Sequence, residues 1–351
     1  MNTMPYHVGL TRECFGPDGK LLFDPVALDP LRTAPGVTFE FMDKATPTVT
    51  PEQAARYDAV ICRGPRVDQT TFAGADCRIR LIARFGAGVD KTDVGACTAA
   101  GVIVTNTPDA VRKPVATAIL LFILALSHKL FTKDRITRAG RWAERTNFMG
   151  EGLSGKTVGS IGLGNIAQEM FRMLKPWNMR YIGYSRNPDC AQMQALGVGV
   201  VDKDAVFRRA DFVCLNLPLT DQTRGMIGEH ELGLMKPTAY FINTARGAIV
   251  DERALFQILQ NRRIAGAALD VFEQEPPLPD NPIFALDNVI VTPHSIAATD
   301  ECNREIASSA IRSALCLARG EAPVHVVNKA VLNHPQLCAF IDLRRKGRSD
   351  P

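Results

Sequence analysis

The run from Lys156 to Leu174 constrains this chain more than any other. Lys156-Thr157-Val158-Gly159-Ser160-Ile161 reads as a strand, Gly162-Leu163-Gly164-Asn165-Ile166-Ala167 as a tight glycine turn, and Gln168 to Leu174 as a helix. A G-x-G-x-x-A pattern means little alone. Between a strand and a helix it builds a βα unit whose helix N-terminus offers unpaired amides and the positive end of a dipole to a pyrophosphate. Gly162 then permits the turn, Gly164 lets the backbone approach the phosphates, and Ala167 keeps the helix close to the strand. Asn165 and Ile166 belong to the same turn, so residues 162 and 164–167 are candidates for binding a dinucleotide.

The rest of the chain has the matching rhythm. From Tyr6 to about Thr107, short runs such as Ala59-Val60-Ile61, Leu81-Ile82-Ala83 and Val102-Ile103-Val104 alternate with polar segments carrying helix-start signals, Thr50-Pro51-Glu52 among them. A second series starts at Lys156 and continues through 179–184, 212–215, 239–242, 265–269 and 289–291. Strands that are apolar on both faces imply parallel sheets covered by helices. A length of 351 residues, 46% of them apolar, suits two such α/β domains. Between the series, Pro114 to about Trp142 reads as mostly helical, with more apolar surface than one domain needs. We expect part of it to meet a second subunit. The segment from Ala298 to Arg319 reads as helical, and Arg344-Arg345-Lys346-Gly347-Arg348 as a solvated basic tail. Neither an internal repeat nor a low-complexity segment is visible.

Charge and cysteine content narrow the function. Forty-one basic and 37 acidic residues are mixed along the chain for a net +4, so no basic stripe suggests nucleic acid or an anionic membrane. Nine scattered cysteines without a C-x-x-C pair argue against a disulfide framework or a structural metal site and fit a reducing cytosol. Met1 to Leu10 lacks the features of a secretory signal. The longest apolar run, Val115 to Leu126, is well short of the roughly 20 residues that span a bilayer and reads as a buried helix.

The strand at 180–184 ends in Ser185-Arg186-Asn187. An NAD-binding fold normally offers Asp or Glu there to the adenosine ribose. An arginine in its place pairs with a 2′-phosphate, and the missing carboxylate removes a repulsion, so NADPH is the expected preference, with NADH possible.

Three further segments place polar groups just after an apolar strand: Asn243-Thr244-Ala245-Arg246-Gly247, Asp270 to Pro276, and Thr292-Pro293-His294-Ser295. In parallel α/β sheets that edge binds ligands. Reducing a 2-oxo acid requires a cation for the carboxylate, an acid for the carbonyl oxygen, and a carboxylate that keeps this acid charged. Arg246, His294 and Glu275 form such a set.

With these residues in place, the sequence resembles the D-isomer-specific 2-hydroxyacid dehydrogenase family. The resemblance runs from about Ala59 to Asn328 and is carried by Arg84-Phe85-Gly86-Ala87-Gly88-Val89-Asp90, Thr105-Asn106-Thr107-Pro108, the Gly162 turn, and the segments 243–247, 267–276 and 292–294. It implies a flavodoxin-like substrate domain made from both chain ends (1–107 and 299–351) and a Rossmann-type dinucleotide domain (108–298), with a cleft between them and a dimer through the 114–142 region. It also implies roles. Arg246 binds the substrate carboxylate, His294 donates the proton, Glu275 pairs with His294, and the Gly86-Ala87-Gly88 amides meet the carboxylate. Leu217, Pro218, Thr244, Asp270 and Ala297 lie against the cofactor, Asp270 near the carboxamide.

The chain departs from the family pattern at Val111-Arg112-Lys113-Pro114, which sets two additional cations after the Asn-Thr-Pro motif, either near the cleft or in a solvated turn. It departs again at Ser295-Ile296-Ala297-Ala298, where glycine is usual. The substrate side chain is expected to meet loops near Arg63-Gly64-Pro65 and Asn147-Phe148-Met149-Gly150. The expected substrates are compact 2-oxo acids such as glyoxylate or hydroxypyruvate. A phosphoglycerate dehydrogenase and a nucleotide-sensing corepressor are the alternatives, while formate dehydrogenase relatives carry glutamine where Glu275 stands.

Overall fold

A computed structural model of the chain describes residues 5–74 and 76–346. It contains two compact units, one from the N-terminal part up to residue 111 together with residues from 298 onward, the other spanning 112–297.

In the first unit, strands β1 (Tyr6–Leu10), β2 (Val37–Phe41), β3 (Ala59–Cys62), β4 (Leu81–Arg84) and β5 (Ile103–Thr105) form a parallel sheet in the order β2-β1-β3-β4-β5. This is the flavodoxin-like order. Alternate residues serve opposite faces. Val8, Ile61 and Leu81 pack into one core with Ala310, Ile311 and Ala314 of the Asp300–Ala318 helix. Val60, Cys62, Ile82 and Val104 fill the core on the other face.

In the second unit, β6 (Thr157–Ile161), β7 (Arg180–Tyr184), β8 (Val198–Val200), β9 (Phe212–Leu215), β10 (Tyr240–Asn243), β11 (Gly266–Leu269) and β12 (Val289–Val291) form a seven-stranded parallel sheet. Its order is β12-β11-β10-β9-β6-β7-β8. The order reverses between β6 and β9, which places the ligand-binding switch point beyond their carboxyl ends. Phe212, Cys214 and Ile242 face one core, and Val213, Leu215 and Phe241 the other.

The structure revises three details of the sequence reading. Helix begins at Pro108 rather than Pro114 and runs to Ser127, followed by the Leu130–Arg138 helix and a 3-10 turn at Trp142–Phe148. Pro114 inside the helix cannot bond back to residue 110. The carbonyl this leaves open on Ala110 takes the Cys302 thiol at 4.0 Å. At 20 residues this helix is long and apolar enough to cross a membrane by length and composition, but Ala116, Ile119, Phe122, Ile123 and Leu126 pack into the core of the second unit. The basic end is not a solvated tail. Residues 344–346 close the Pro335–Lys346 helix, where Arg344 Nε donates to Ala318 O at 3.0 Å, its guanidinium lies 5.2 Å from the Tyr6 ring, and Arg345 Nε donates to Gly320 O at 2.9 Å. Gly347 and Arg348 lie outside the described residues, as do Met1 to Met4. Arg112 and Lys113 lie in helix rather than in a turn, and Arg112 Nε sits 3.7 Å from Glu169 Oε2 on the Asn165–Leu174 helix.

Candidate active site

The glycine turn stands at the switch point. Gly162 follows β6 at φ +99°, and a Cβ there would lie 2.2 Å from the carbonyl oxygen of Asn216, just past β9. Only glycine allows that approach. Gly164 is the N-cap of the Asn165–Leu174 helix and offers no side chain to it. The first N–H groups of this helix, from Asn165, Ile166 and Ala167, therefore remain available at the positive end of its dipole. A Cβ on Gly164 would meet nothing within 4 Å, whereas Ala167 is fully buried against the core. An uncapped N-terminus facing open space fits a pyrophosphate.

Ser185, Arg186 and Asn187 follow β7, and the exposed Arg186 donates to Gln222 Oε1, on the loop after β9. On the same loop, Thr223 Oγ1 donates to Pro218 O at 2.8 Å, which folds the segment beginning at Leu217 back on itself.

At the end of β10 the buried Asn243 shapes the turn that presents Arg246. Its Oδ1 accepts from Ala245 N at 3.0 Å and its Nδ2 donates to Arg246 O at 3.1 Å, enclosing Thr244. Arg246 Nη1 donates to Ala245 O at 2.7 Å. The next residue must be glycine, because a Cβ on Gly247 would fall 1.9 Å from the carbonyl carbon of Phe272. That contact brings the Arg246 turn against the segment carrying Glu275.

Glu275 Oε2 meets His294 Nδ1 at 2.7 Å, and Glu275 Oε1 accepts from Phe272 N at 3.2 Å. Burial pushes the Glu275 carboxyl up, but the hydrogen bond and charge of His294, the Phe272 N–H and the Arg246 charge outweigh it and hold the group below its ordinary value. With Nδ1 taken by Glu275, the outer nitrogen, Nε2, is the one left to face a reactant. His294 lies at φ +52°, a left-handed conformation unusual for a side chain of this size. Asp270, which is buried, holds the loop around it. Its Oδ1 accepts from Thr292 Oγ1 at 2.6 Å, Ser295 N at 3.0 Å and Ile296 N at 3.2 Å. Ala297 follows directly, half-buried.

In the first unit, Gly86 turns the chain after β4 at φ +126°. The carbonyls of Gly86 and Ala87 accept from Thr107 N at 3.0 Å and Asn106 Nδ2 at 2.7 Å, while no acceptor among the described residues takes the N–H groups of Gly86, Ala87 or Gly88. Among the described residues no group of three or more His, Cys, Asp or Glu could hold a metal ion.

Residues 120–295 match the family model described as D-isomer specific 2-hydroxyacid dehydrogenase, NAD binding domain. The chain belongs to this family. It is an NAD(P)-dependent 2-hydroxyacid dehydrogenase. Among its relatives is a glyoxylate reductase of Pyrococcus furiosus, 38% identical over 288 residues, which are 80% of this chain and 85% of that protein. A D-3-phosphoglycerate dehydrogenase of Methanocaldococcus jannaschii is 39% identical over 270 residues, 77% of this chain but 51% of that protein, so the chain spans about half its length. The crystal structure of a glyoxylate reductase from Paecilomyes thermophila superposes with a TM-score of 0.79 at 26% identity, covering 93% of this chain and 99% of the other.

The structure thus gathers Arg246, Glu275 and His294 at one edge of one sheet. Three side chains make supporting contacts that the sequence does not reveal. Gln222 gave no signal, because its partner Arg186 lies 36 positions away. Asn243 was legible only as a polar residue ending a strand and Asp270 as a residue against the cofactor, and their work on the neighbouring backbone needs the fold to be seen. Phe148, expected near the substrate side chain, instead lines a cavity with Tyr240 and Ile290, close to where β10 and β12 begin. The site residues lie at the opposite ends of these strands.

Proposed function

We propose that this dehydrogenase reduces a compact 2-oxo acid, of glyoxylate or hydroxypyruvate size, to its D-2-hydroxy acid, with NADPH preferred over NADH. The observation that carries the reading is the 2.7 Å contact between Glu275 Oε2 and His294 Nδ1, on the same sheet edge as Arg246. The reduced nicotinamide supplies the hydride when bound. Arg246 pairs with the substrate carboxylate and fixes which carbonyl face is presented. His294 Nε2 gives its proton to the carbonyl oxygen as negative charge grows there, and Glu275 stabilises the protonated ring. The free Gly86-Ala87-Gly88 amides add donors for the carboxylate. This assigns substrate to the flavodoxin-like unit and dinucleotide to residues 112–297, where Leu217, Pro218, Thr244, Asp270 and Ala297 lie along the cofactor.

The NADPH preference rests on Ser185-Arg186-Asn187, where no carboxylate follows β7. A homodimer in the cytoplasm completes the proposal. Its support is a concentration of exposed apolar side chains on the segment expected at a subunit contact, with Leu121, Leu130, Phe131 and Trp142 between 47% and 64% exposed. The 39% identity to a D-3-phosphoglycerate dehydrogenase favours phosphohydroxypyruvate as the second candidate substrate. The deciding experiment follows loss of reduced-nicotinamide absorbance with NADPH or NADH against glyoxylate, hydroxypyruvate, pyruvate and phosphohydroxypyruvate. Rapid NADPH-linked turnover of the first two is expected. Turnover of phosphohydroxypyruvate alone selects the second candidate, and coenzyme binding without turnover of any of the four overturns the reductase reading.

A further inference from the structure

Glu275 reaches His294 from a segment whose course depends on a second acidic residue, Glu252. Asp251 caps the Glu252–Gln260 helix by accepting from Ala254 N at 3.0 Å, and Leu255, Ile258 and Leu259 seat that helix in the core. The Glu252 carboxylate is therefore not needed as the cap, and it stands on a fixed support. Both of its oxygens accept from the segment that carries Glu275. Oε2 takes Glu273 N at 2.8 Å, and Oε1 takes Asn281 Nδ2 at 2.7 Å.

These two donors lie on either side of Glu275, so one carboxylate closes the loop between them. Asn281 is itself oriented. Its Oδ1 accepts from Ile283 N at 3.0 Å, where the Pro282–Ala285 3-10 turn begins and Ile283 is buried. That bond settles which end of the amide is which and leaves Nδ2 facing Glu252. Inside the loop, Gln274 Nε2 donates to Pro276 O at 3.4 Å and Asn281 N to Leu278 O at 3.1 Å. Those bonds shape the loop without tying it to the helix, which Glu252 does. The tie matters because a shift of about 1 Å in Glu275 carries its 2.7 Å contact with His294 Nδ1 out of hydrogen-bond range.

We propose that Glu252 is a positioning residue for the reduction, clasping Glu273 and Asn281 so that Glu275 meets His294. The inference rests on the reading of His294 as proton donor held by Glu275, and it names what holds Glu275 in turn. Glu252 acts through the Glu273 backbone and the Asn281 amide, not at the reacting atoms. The turn that presents Arg246 is held separately by Asn243, at 3.0 and 3.1 Å, and the Gly162 turn lies on another strand. Loss of Glu252 therefore falls on proton delivery and spares the binding of substrate and coenzyme.

Exchanging the acid and the amide tests this. An amide at position 252 can accept from only one of the two donors, so Glu252→Gln leaves the other unpaired. Asn281→Asp keeps an oxygen for Ile283 N but sets two carboxylates face to face. Each single variant is expected to lose about tenfold or more in kcat, with KM and the coenzyme dissociation constants within about threefold of wild type. Combining Glu252→Gln with Asn281→Asp puts a donor opposite an acceptor again at unchanged net charge, and kcat should return to within about threefold of wild type. A second readout needs no turnover. The far-downfield proton resonance of His294 Nδ1–H against Glu275, identified by its loss in His294→Ala, should move or vanish in each single variant and return in the combined one. Melting temperatures identify a single variant that fails to fold, and the combined variant then carries the test. Normal kcat with an unmoved resonance in both single variants overturns the proposal. So does a combined variant no better than the worse single one, which leaves Glu252 a role in stability alone. Absence of turnover in the wild-type enzyme with all the 2-oxo acids tried is instead a failure of the reductase reading, and the resonance then decides the role of Glu252 by itself.

Discussion

His294 donates its backbone N–H to the carbonyl oxygen of Asp270 at 2.8 Å, while the Asp270 carboxylate gathers Thr292, Ser295 and Ile296 from either side of it. A left-handed residue with a Cβ costs about 1–2 kcal/mol, and these bonds to one carboxylate oxygen hold the loop in that conformation. Asp270→Ala removes the acceptor and leaves buried donors unsatisfied. Hydrogen bonds to a charged group contribute roughly 1.5–3 kcal/mol, so the variant should lose about 3 kcal/mol of stability and at least tenfold in kcat. Asn at this position still offers an oxygen and should recover part of the stability. Thermal denaturation with steady-state kinetics reads both quantities, and unchanged values in the Ala variant exclude a positioning role.

The proposed proton donor is tested by His294→Ala. Loss of a general acid costs about 10²-fold or more, so kcat should fall by that factor. Coenzyme binding, followed by nicotinamide fluorescence, should change little, because the Gly162 turn is untouched. Normal turnover would rule out His294 as the donor.

Glu275 makes the site sensitive to acid. Its carboxyl lies below the ordinary 4.5 in the folded chain, where the opposing effects of burial and of its partners His294, Phe272 and Arg246 resolve downward. A depressed carboxylate contributes stability that is fully present above its unfolded value and lost as pH falls through the folded one. The difference in melting temperature between the wild-type chain and Glu275→Gln should accordingly be constant near neutrality and shrink below about pH 4.5. A difference that widens on acidification would contradict the assigned direction. With the Glu275 side chain 36% exposed, solvent screening makes the stability effect small.

Gly247 couples the turn that presents Arg246 to the segment that carries Glu275. A methyl group there would overlap the Phe272 backbone, and neither segment can yield without moving Arg246 or the turn that carries Glu275. Overpacking of this kind costs roughly 1–3 kcal/mol. Gly247→Ala should therefore lower the melting temperature and reduce kcat/KM by about tenfold or more through misplacement of the guanidinium. A stable variant with normal kcat/KM would show that the loops are not coupled at this point.

The strands most legible in the sequence were those buried on both faces. Ala59–Cys62, Phe212–Leu215 and Gly266–Leu269 are fully buried runs and stand out as uninterrupted apolar letters. Val37–Phe41 and Val198–Val200 are edge strands with partly exposed faces, so their pattern is diluted and neither was singled out. Arg246 and Glu275 were legible because each follows a strand of this buried kind, and all three, His294 after the partly exposed edge strand Val289–Val291 included, because the chemistry needs those residue types. Their supports were not. Asn243, Asp270 and Gly247 act through backbone contacts that exist only once β10, β11 and β12 lie side by side. Likewise the Arg344 contacts with Ala318 and Tyr6 join the two ends of the chain, which a reading along the sequence sees only as a cluster of basic letters.

The proposed cofactor preference turns on Arg186, which the structure shows donating to Gln222. A guanidinium already oriented loses less freedom on meeting a phosphate, and immobilising such a side chain costs about 0.5–1.5 kcal/mol. Two effects of different size follow. Arg186→Ala deletes the charge-assisted bonds themselves, worth roughly 1.5–3 kcal/mol, and should weaken NADPH by about 10- to 100-fold. NADH, which carries no 2′-phosphate, should change less than about threefold. Gln222→Ala removes only the orientation and should weaken NADPH by about two- to tenfold. Dissociation constants for both coenzymes in both variants separate the contributions. Equal losses for NADPH and NADH in Arg186→Ala would mean that the guanidinium contacts a part common to the two coenzymes, and the preference would then have to arise from Ser185, Asn187 or the absent carboxylate alone.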